Sequence, residues 1–279
     1  IYLCYSMHKM QEKINHIGIL FCAIFFVNSQ LLLSEDSPLL IGPEVENPKS
    51  LLFIGNSFFY YNNGVHKPVL GMVKANESLG KGHRFRNITI NSSSLEWHDV
   101  ESYVTNERIG SFSITSNNKY KKYQPEKYQL AIMMDCSQCP IHEDRKDLFN
   151  YYIDRHSKTL RDYGVEPSLL MTWAYKDKPE MIDGLAEAYI NAGNRNKLMV
   201  FPVGLAFKLS SERFPEIDLY TPDNRHPSKE GTYLMAAVIY SSIYNISPVG
   251  NSYDYGLSKD VQLKLQQMAW ETLETYRKK

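Results

Sequence analysis

The sequence predicts an α/β fold built on a mostly parallel, five-stranded sheet. Two observations carry that expectation. Short apolar runs bounded by turn residues alternate with longer helical stretches along most of the chain, the pattern of βαβ units with right-handed crossovers. The 279 residues, 43% hydrophobic and 22% charged, are ordinary globular composition with ample length for one sizeable core.

The elements follow in order. Ser50 to Gly55, carrying the run Leu51-Leu52-Phe53-Ile54, reads as a buried strand ended by glycine. A helix spans about Val65 to Asn76, with Pro68 tolerated in its first turn. Arg84 to Asn91 sets Phe85, Ile88 and Ile90 among polar residues and reads as the second strand. Ser92-Ser93-Ser94 caps a short helix over Leu95 to Asn106, with Glu96 near its start. Ile109 to Lys127 is polar, rich in Lys and Tyr, and reads as a surface excursion before the third strand, Tyr128 to Asp135. A helix from Arg145 to Tyr163 ends at Gly164, a fitting C-cap. The fourth strand is Pro167 to Trp173, followed by a helix over Lys178 to Ala192. The fifth is Lys197 to Val203, followed by a short helix from Leu205. Two closing helices lie near Lys229 to Tyr244 and Ser258 to Arg277. Five strands so arranged fit a flavodoxin-like three-layer α/β/α sandwich, with no internal repeat and no second domain.

Ser57 falls just past the C-terminal edge of the first strand, where open α/β sheets place ligands. Far downstream stands Asp223-Asn224-Arg225-His226-Pro227-Ser228. A serine hydroxyl needs a base within hydrogen-bond reach, and the base needs an orienting group. Histidine suits the first task and a carboxylate the second. Asp223 and His226 are close enough in sequence for one loop to present both. Ser228 reads as the N-cap of the helix that follows.

Gly55-Asn56-Ser57-Phe58 and Asp223 to His226 resemble the first and last blocks of the SGNH (GDSL-like) hydrolase family. The likeness extends to a branch first catalogued as a domain of unknown function. It rests on Gly55 to Phe58, Ser94-Leu95-Glu96-Trp97-His98, Thr172-Trp173-Ala174 and Pro202-Val203-Gly204, in order over roughly residues 50 to 250. The resemblance implies the SGNH hydrolase fold. It implies Ser57 as nucleophile, His226 as base and Asp223 as orienter, with no metal and no organic cofactor. The family draws oxyanion donors from the nucleophile N–H, a glycine N–H of its second block and an Asn or Gln side chain of its third. Here the second position falls at Asn91-Ser92, without glycine, where a positive φ would strain serine. The third falls in Met133 to Gln138, with Met134 or Asp135 at the amide position. Ser57, Ser92 and Ser137 are therefore the candidate oxyanion donors, with Gln138 as another choice for the third. His98 reads as exposed helix or substrate contact; Trp97 and Trp173 read as cleft lining or buried aromatics.

The expected activity is that of an exported serine hydrolase cleaving carboxylic esters, with short acyl esters of carbohydrates as the expected substrates. The alternative is a weakened or inactive relative that binds glycans or another ligand in the same cleft. Lys+Arg and Asp+Glu both number 31, giving zero formal net charge. No basic block points to nucleic acid. Cys136 and Cys139 form a Cys-x-x-Cys pair. A small disulfide, inert thiols, redox chemistry and part of a metal site are all open to it, although structural zinc wants four ligands.

The N-terminal region reads as a leader. His8, Lys9 and Lys13 precede the apolar run Ile17 to Val27, which has the length of a signal-peptide core and is short for a membrane span. Residues 1–29 are expected to be signal peptide and upstream residues, 30–49 a linker and 50–279 the hydrolase-like domain. Membrane association is expected only if the leader stays uncleaved. Sequons at Asn76, Asn87, Asn91 and Asn245 matter only where exported proteins are glycosylated.

Overall fold

The computed structural model describes residues 37–105, 112–114, 117, 120–122 and 127–278. The expected leader, with Cys4 and Cys22, lies outside the described residues. Pro38 to Lys279 form one unit. Residues 38–49, expected as a linker, are tied to this unit: the Glu166 carboxylate accepts from the N–H groups of Glu44 and Val45, both at 2.8 Å.

The main sheet comprises β1 (Ser50–Gly55), β2 (Arg84–Thr89), β5 (Leu130–Met133), β6 (Glu166–Leu170) and β7 (Met199–Phe201), in the order β2-β1-β5-β6-β7. Every pairing is parallel, with Leu51 opposite Phe85 on one side and Leu130 on the other. β1 is buried along its whole length, which is why its sequence is a continuous apolar run rather than an alternating one. β3 (Phe112–Ile114) and β4 (Tyr120–Lys122) pair as a separate antiparallel hairpin. That polar segment carries no strand periodicity, so the hairpin was not expected there.

Helices cover both faces. α1 (Ser57–Tyr60) is a single turn directly after β1. α2 (His66–Lys74) packs on α7 (Lys229–Tyr244), which packs on α6 (Val203–Arg213) and α8 (Lys259–Tyr276). On the other face, α3 (Val100–Thr105) packs on α4 (Lys146–Asp162), and α4 on α5 (Met181–Asn196). This is the division that right-handed crossovers impose on such a strand order. Gly231 to Tyr244 are all buried, as befits a helix apolar on every side.

The helix expected over Leu95 to Asn106 is broken. A 3₁₀ turn spans Leu95–Trp97, His98 is extended, and α3 starts at Val100. The break lies at His98: the Leu95 carbonyl, which an α-helix would offer to Asp99, accepts from the His98 N–H at 3.1 Å and from the His156 ring at 2.9 Å, while Ser94 makes no capping bond. The Ser228 side chain does cap α7, accepting from the Gly231 N–H at 3.0 Å.

Candidate active site

The strand order reverses between β1 and β5, so a crevice opens beyond their C-terminal ends. Asn56 stands at the tip of β1. Its Oδ1 caps α1 by accepting from the Phe58 N–H at 3.1 Å. Its Nδ2 donates to the carbonyls of Ser93 (3.0 Å) and Asp135 (3.2 Å). One buried amide thus joins the segments that follow β1, β2 and β5. Ser57 is the first residue of α1, so its N–H is a first-turn donor without an intrahelical acceptor.

The structure brings Ser57, His226 and Asp223 together. Ser57 Oγ lies 2.8 Å from His226 Nε2, and His226 Nδ1 lies 2.5 Å from Asp223 Oδ2. Asp223 Oδ1 accepts from the Thr221 hydroxyl (2.8 Å) and the N–H groups of Arg225 (2.9 Å) and His226 (3.0 Å). Partial burial works against ionisation of Asp223. The bonds from the His226 ring, from the two backbone N–H groups and from Thr221 outweigh it and hold the carboxyl well below the usual carboxylate range. An ionised Asp223 only accepts, so Nδ1 carries the proton and Nε2 presents its lone pair to the serine hydroxyl.

The loop bearing Asp223 and His226 is held from several sides. Tyr220 bridges Pro227 in antiparallel fashion. Asn62 Nδ2 donates to the carbonyls of Pro227 and Ser228, both at 2.9 Å. Tyr61 stacks on the His226 ring at 4.1 Å between centroids, and Phe58 meets it edge-on at 5.4 Å. Trp173 is buried, not exposed in the cleft. It is stacked between Phe58 and Phe207, both at 4.4 Å, and its Nε1 donates to the Arg225 carbonyl at 2.9 Å. Sequence reasoning missed the roles of Asn56, Asn62 and Tyr61; of these, only Asn56, between a strand-end glycine and a helix, carries a local signal as a cap.

The three candidate oxyanion residues fare differently. Ser92 occupies the third position of a tight turn closed by Ser93 N–H to Ile90 carbonyl (3.2 Å), with φ of +58°. That position favours glycine, so serine here is strained, as expected from the sequence. Ser137 is engaged elsewhere. Its hydroxyl shares a 2.6 Å bond with Tyr175 OH, over whose ring Arg225 sits at 4.8 Å. Asp135, in the family's amide segment, is an acceptor: Oδ1 takes the N–H groups of Leu95 (2.9 Å) and Cys136 (2.6 Å).

His98 is neither exposed nor a surface contact; it is 4% exposed. Its Nε2 lies 3.0 Å from Ser93 Oγ and its Nδ1 3.1 Å from Tyr103 OH. Ser93 Oγ donates to the Gly55 carbonyl at 3.4 Å, so it accepts from His98 Nε2–H, and Tyr103 donates to Nδ1. Burial, reinforced by nearby His156, lowers the His98 pKa to about 4, so the ring is neutral near pH 7. This chain ties the strained Ser92 turn to the end of β1.

Burial pushes the Asp135 pKa up to about 6 against its two N–H bonds and Arg145; Glu96 adds to the rise. Below the unfolded value of 3.8, both states hold the proton. Between there and about pH 6 only the unfolded state releases it, so stability falls as pH rises and levels off above. Asp135→Asn removes this dependence. Its stability relative to wild type is expected to rise by about 2 kcal/mol between pH 4 and pH 7 in urea titrations. A pH-independent difference would contradict the assignment.

Cys136 and Cys139 are paired in a disulfide. Asp135 and the two sulfurs offer ligand-type atoms within 4.8 Å of one another, but both sulfurs are committed to that bond.

No family model matches the chain, and no curated protein matches it. Solved structures do. A DUF4886-family protein from Bacteroides uniformis superposes with a TM-score of 0.57 at 17% identity, over 81% of this chain and 95% of that one. A protein assigned to the SGNH hydrolases, from Slackia heliotrinireducens, gives 0.51 at 18%, over 69% and 97%. The chain has the SGNH hydrolase fold. A protein described as a GDSL-like lipase, from Parabacteroides merdae, agrees at 0.52 and 11%, over 71% and 97%.

Proposed function

We propose that the protein is an exported serine hydrolase acting on carboxylic esters, with acetyl or other short acyl groups on a carbohydrate as substrates. The observation that carries this reading is the hydrogen-bonded line from Ser57 Oγ through His226 to Asp223. Ser57 Oγ attacks the acyl carbonyl while His226 Nε2 takes its proton. The developing oxyanion is met by the N–H groups of Ser57 and Ser92. The tetrahedral adduct collapses, and the alcohol leaves with the proton from His226. Water, deprotonated by the same nitrogen, then attacks the acyl-enzyme. The acid departs and Ser57 recovers its proton. Asp223 stays ionised and stabilises the imidazolium. Export rests on the leader read over residues 1–29.

One observation favours ligand binding without efficient turnover. The Ser137 hydroxyl is shared with Tyr175; with only the Ser57 and Ser92 N–H groups at work the hole is one donor short, and losing one oxyanion donor typically costs about a hundred- to a thousandfold. Hydrolysis of p-nitrophenyl acetate separates the two readings: turnover that disappears in Ser57→Ala supports the hydrolase, and no turnover of this or any other short ester leaves the binding protein.

A further inference from the structure

Between the Ser92 turn and the Cys136–Cys139 disulfide loop is a cleft of about 240 Å³. One wall begins at Ser92 and ends at Trp97; the other runs from Cys136 through Gln138 and Cys139 to His142 and Arg145. Asn56 amide bonds reach the residues adjoining each wall, Ser93 and Asp135. The two walls are thus tied together by the residue that precedes Ser57.

Its chemistry is unusual for a solvent-facing surface. Trp97 is 58% exposed, although large aromatic rings are normally well buried. Ser94 Oγ is buried and has no hydrogen-bond partner, and such an atom calls for an explanation. His142 Nδ1 accepts from the Asp144 N–H at 3.2 Å, which leaves Nε2–H as a donor in a neutral ring. Gln138 offers both a donor and an acceptor. The one cationic side chain in the lining, Arg145, is paired with Glu96 at 3.0 Å, so the cleft is electrically balanced. An exposed aromatic face beside hydroxyl, amide and imidazole groups, with no net charge, fits an uncharged polyhydroxylated ring.

We propose that this cleft is a sugar subsite holding the alcohol part of the ester, with Trp97 as the stacking platform and Ser94, Gln138 and His142 as hydroxyl partners. The proposal rests on the hydrolase reading and narrows its substrate to neutral acylated saccharides, as opposed to lipid or anionic esters. Trp97 is a specificity residue and takes no part in bond making.

The test compares acetylated xylo-oligosaccharides with p-nitrophenyl acetate, whose alcohol has no sugar ring. Trp97→Ala is expected to lower kcat/KM on the oligosaccharide esters about tenfold, the size of one lost aromatic contact, and to leave p-nitrophenyl acetate within about twofold. Trp97→Phe should recover most of the loss. Calorimetry on Ser57→Ala provides a readout free of turnover: acetylated xylo-oligosaccharides should bind, and adding Trp97→Ala should weaken them about tenfold. Unchanged oligosaccharide kinetics in Trp97→Ala, or an equal loss on both substrates, would overturn the proposal. So would turnover of p-nitrophenyl acetate without hydrolysis or binding of the oligosaccharides, an outcome that leaves the hydrolase reading standing. Oligosaccharide binding without turnover of any ester would keep the subsite and remove the hydrolase reading.

Discussion

Ser57→Ala is expected to lower kcat/KM for p-nitrophenyl acetate by about four orders of magnitude, and His226→Ala by a comparable factor. The two side chains act as a unit, since the 2.8 Å bond between them is the route by which the hydroxyl proton leaves. The double variant should therefore be scarcely worse than either single one. Asp223→Asn should also be severe, at about a thousandfold or more. An amide in place of Asp223 Oδ2 would favour the wrong imidazole tautomer and remove the charge that stabilises the imidazolium. None of these changes should unfold the chain, because the loop keeps the Asn62 and Trp173 bonds and the Tyr220–Pro227 bridge. Turnover undiminished in Ser57→Ala, measured on protein with a wild-type thermal transition, would exclude Ser57 as nucleophile.

Gly204→Ala should give a large loss of stability. A Cβ at Gly204 would sit 2.3 Å from the Thr172 carbonyl oxygen and 2.9 Å from Ile182 Cδ1. The first obstacle is backbone at the end of β6, where the Gly204 N–H also donates to the Met171 carbonyl at 3.2 Å. No side-chain rotation can relieve it, so α6 must lift from the strand end. The expected cost is about 3 kcal/mol or more in denaturant titrations. Gly42, where an added Cβ would meet nothing within 4 Å, provides the control, with Gly42→Ala expected within about 0.5 kcal/mol of wild type. Catalysis should suffer too in Gly204→Ala, because Trp173, next to Thr172, holds the Arg225 carbonyl of the histidine loop. Equal stability of Gly204→Ala and Gly42→Ala would contradict the packing described.

The parallel core was legible because burial on both faces writes itself locally. Leu51 to Ile54 could hardly be anything but an interior strand, and Ser228 with the apolar run behind it marked the start of α7. The meeting of Ser57, His226 and Asp223 was legible for a different reason: these three residue types have few other reasons to stand at a strand end and on one short loop. What could not be read was set by partners far away in sequence. The helix expected from Leu95 failed because His156, 61 residues on, takes the Leu95 carbonyl. His98 reads as surface from its sequence neighbours, whereas its ring is buried between Ser93 and Tyr103. Ser137 carried no sign that Tyr175 would claim its hydroxyl. Asn56 stands where a cap is expected, and it is one, but a single amide reaching two other loops leaves no trace in periodicity.

The central claim is that Ser57 is an activated nucleophile, and covalent labelling tests it most directly. The protein would be treated with a fluorophosphonate and the modified peptide located by mass spectrometry. The account predicts a single adduct on Ser57, formed by wild type, strongly slowed in His226→Ala and absent in Ser57→Ala. An adduct on another serine, or labelling of Ser57 at the same rate without His226, would contradict it.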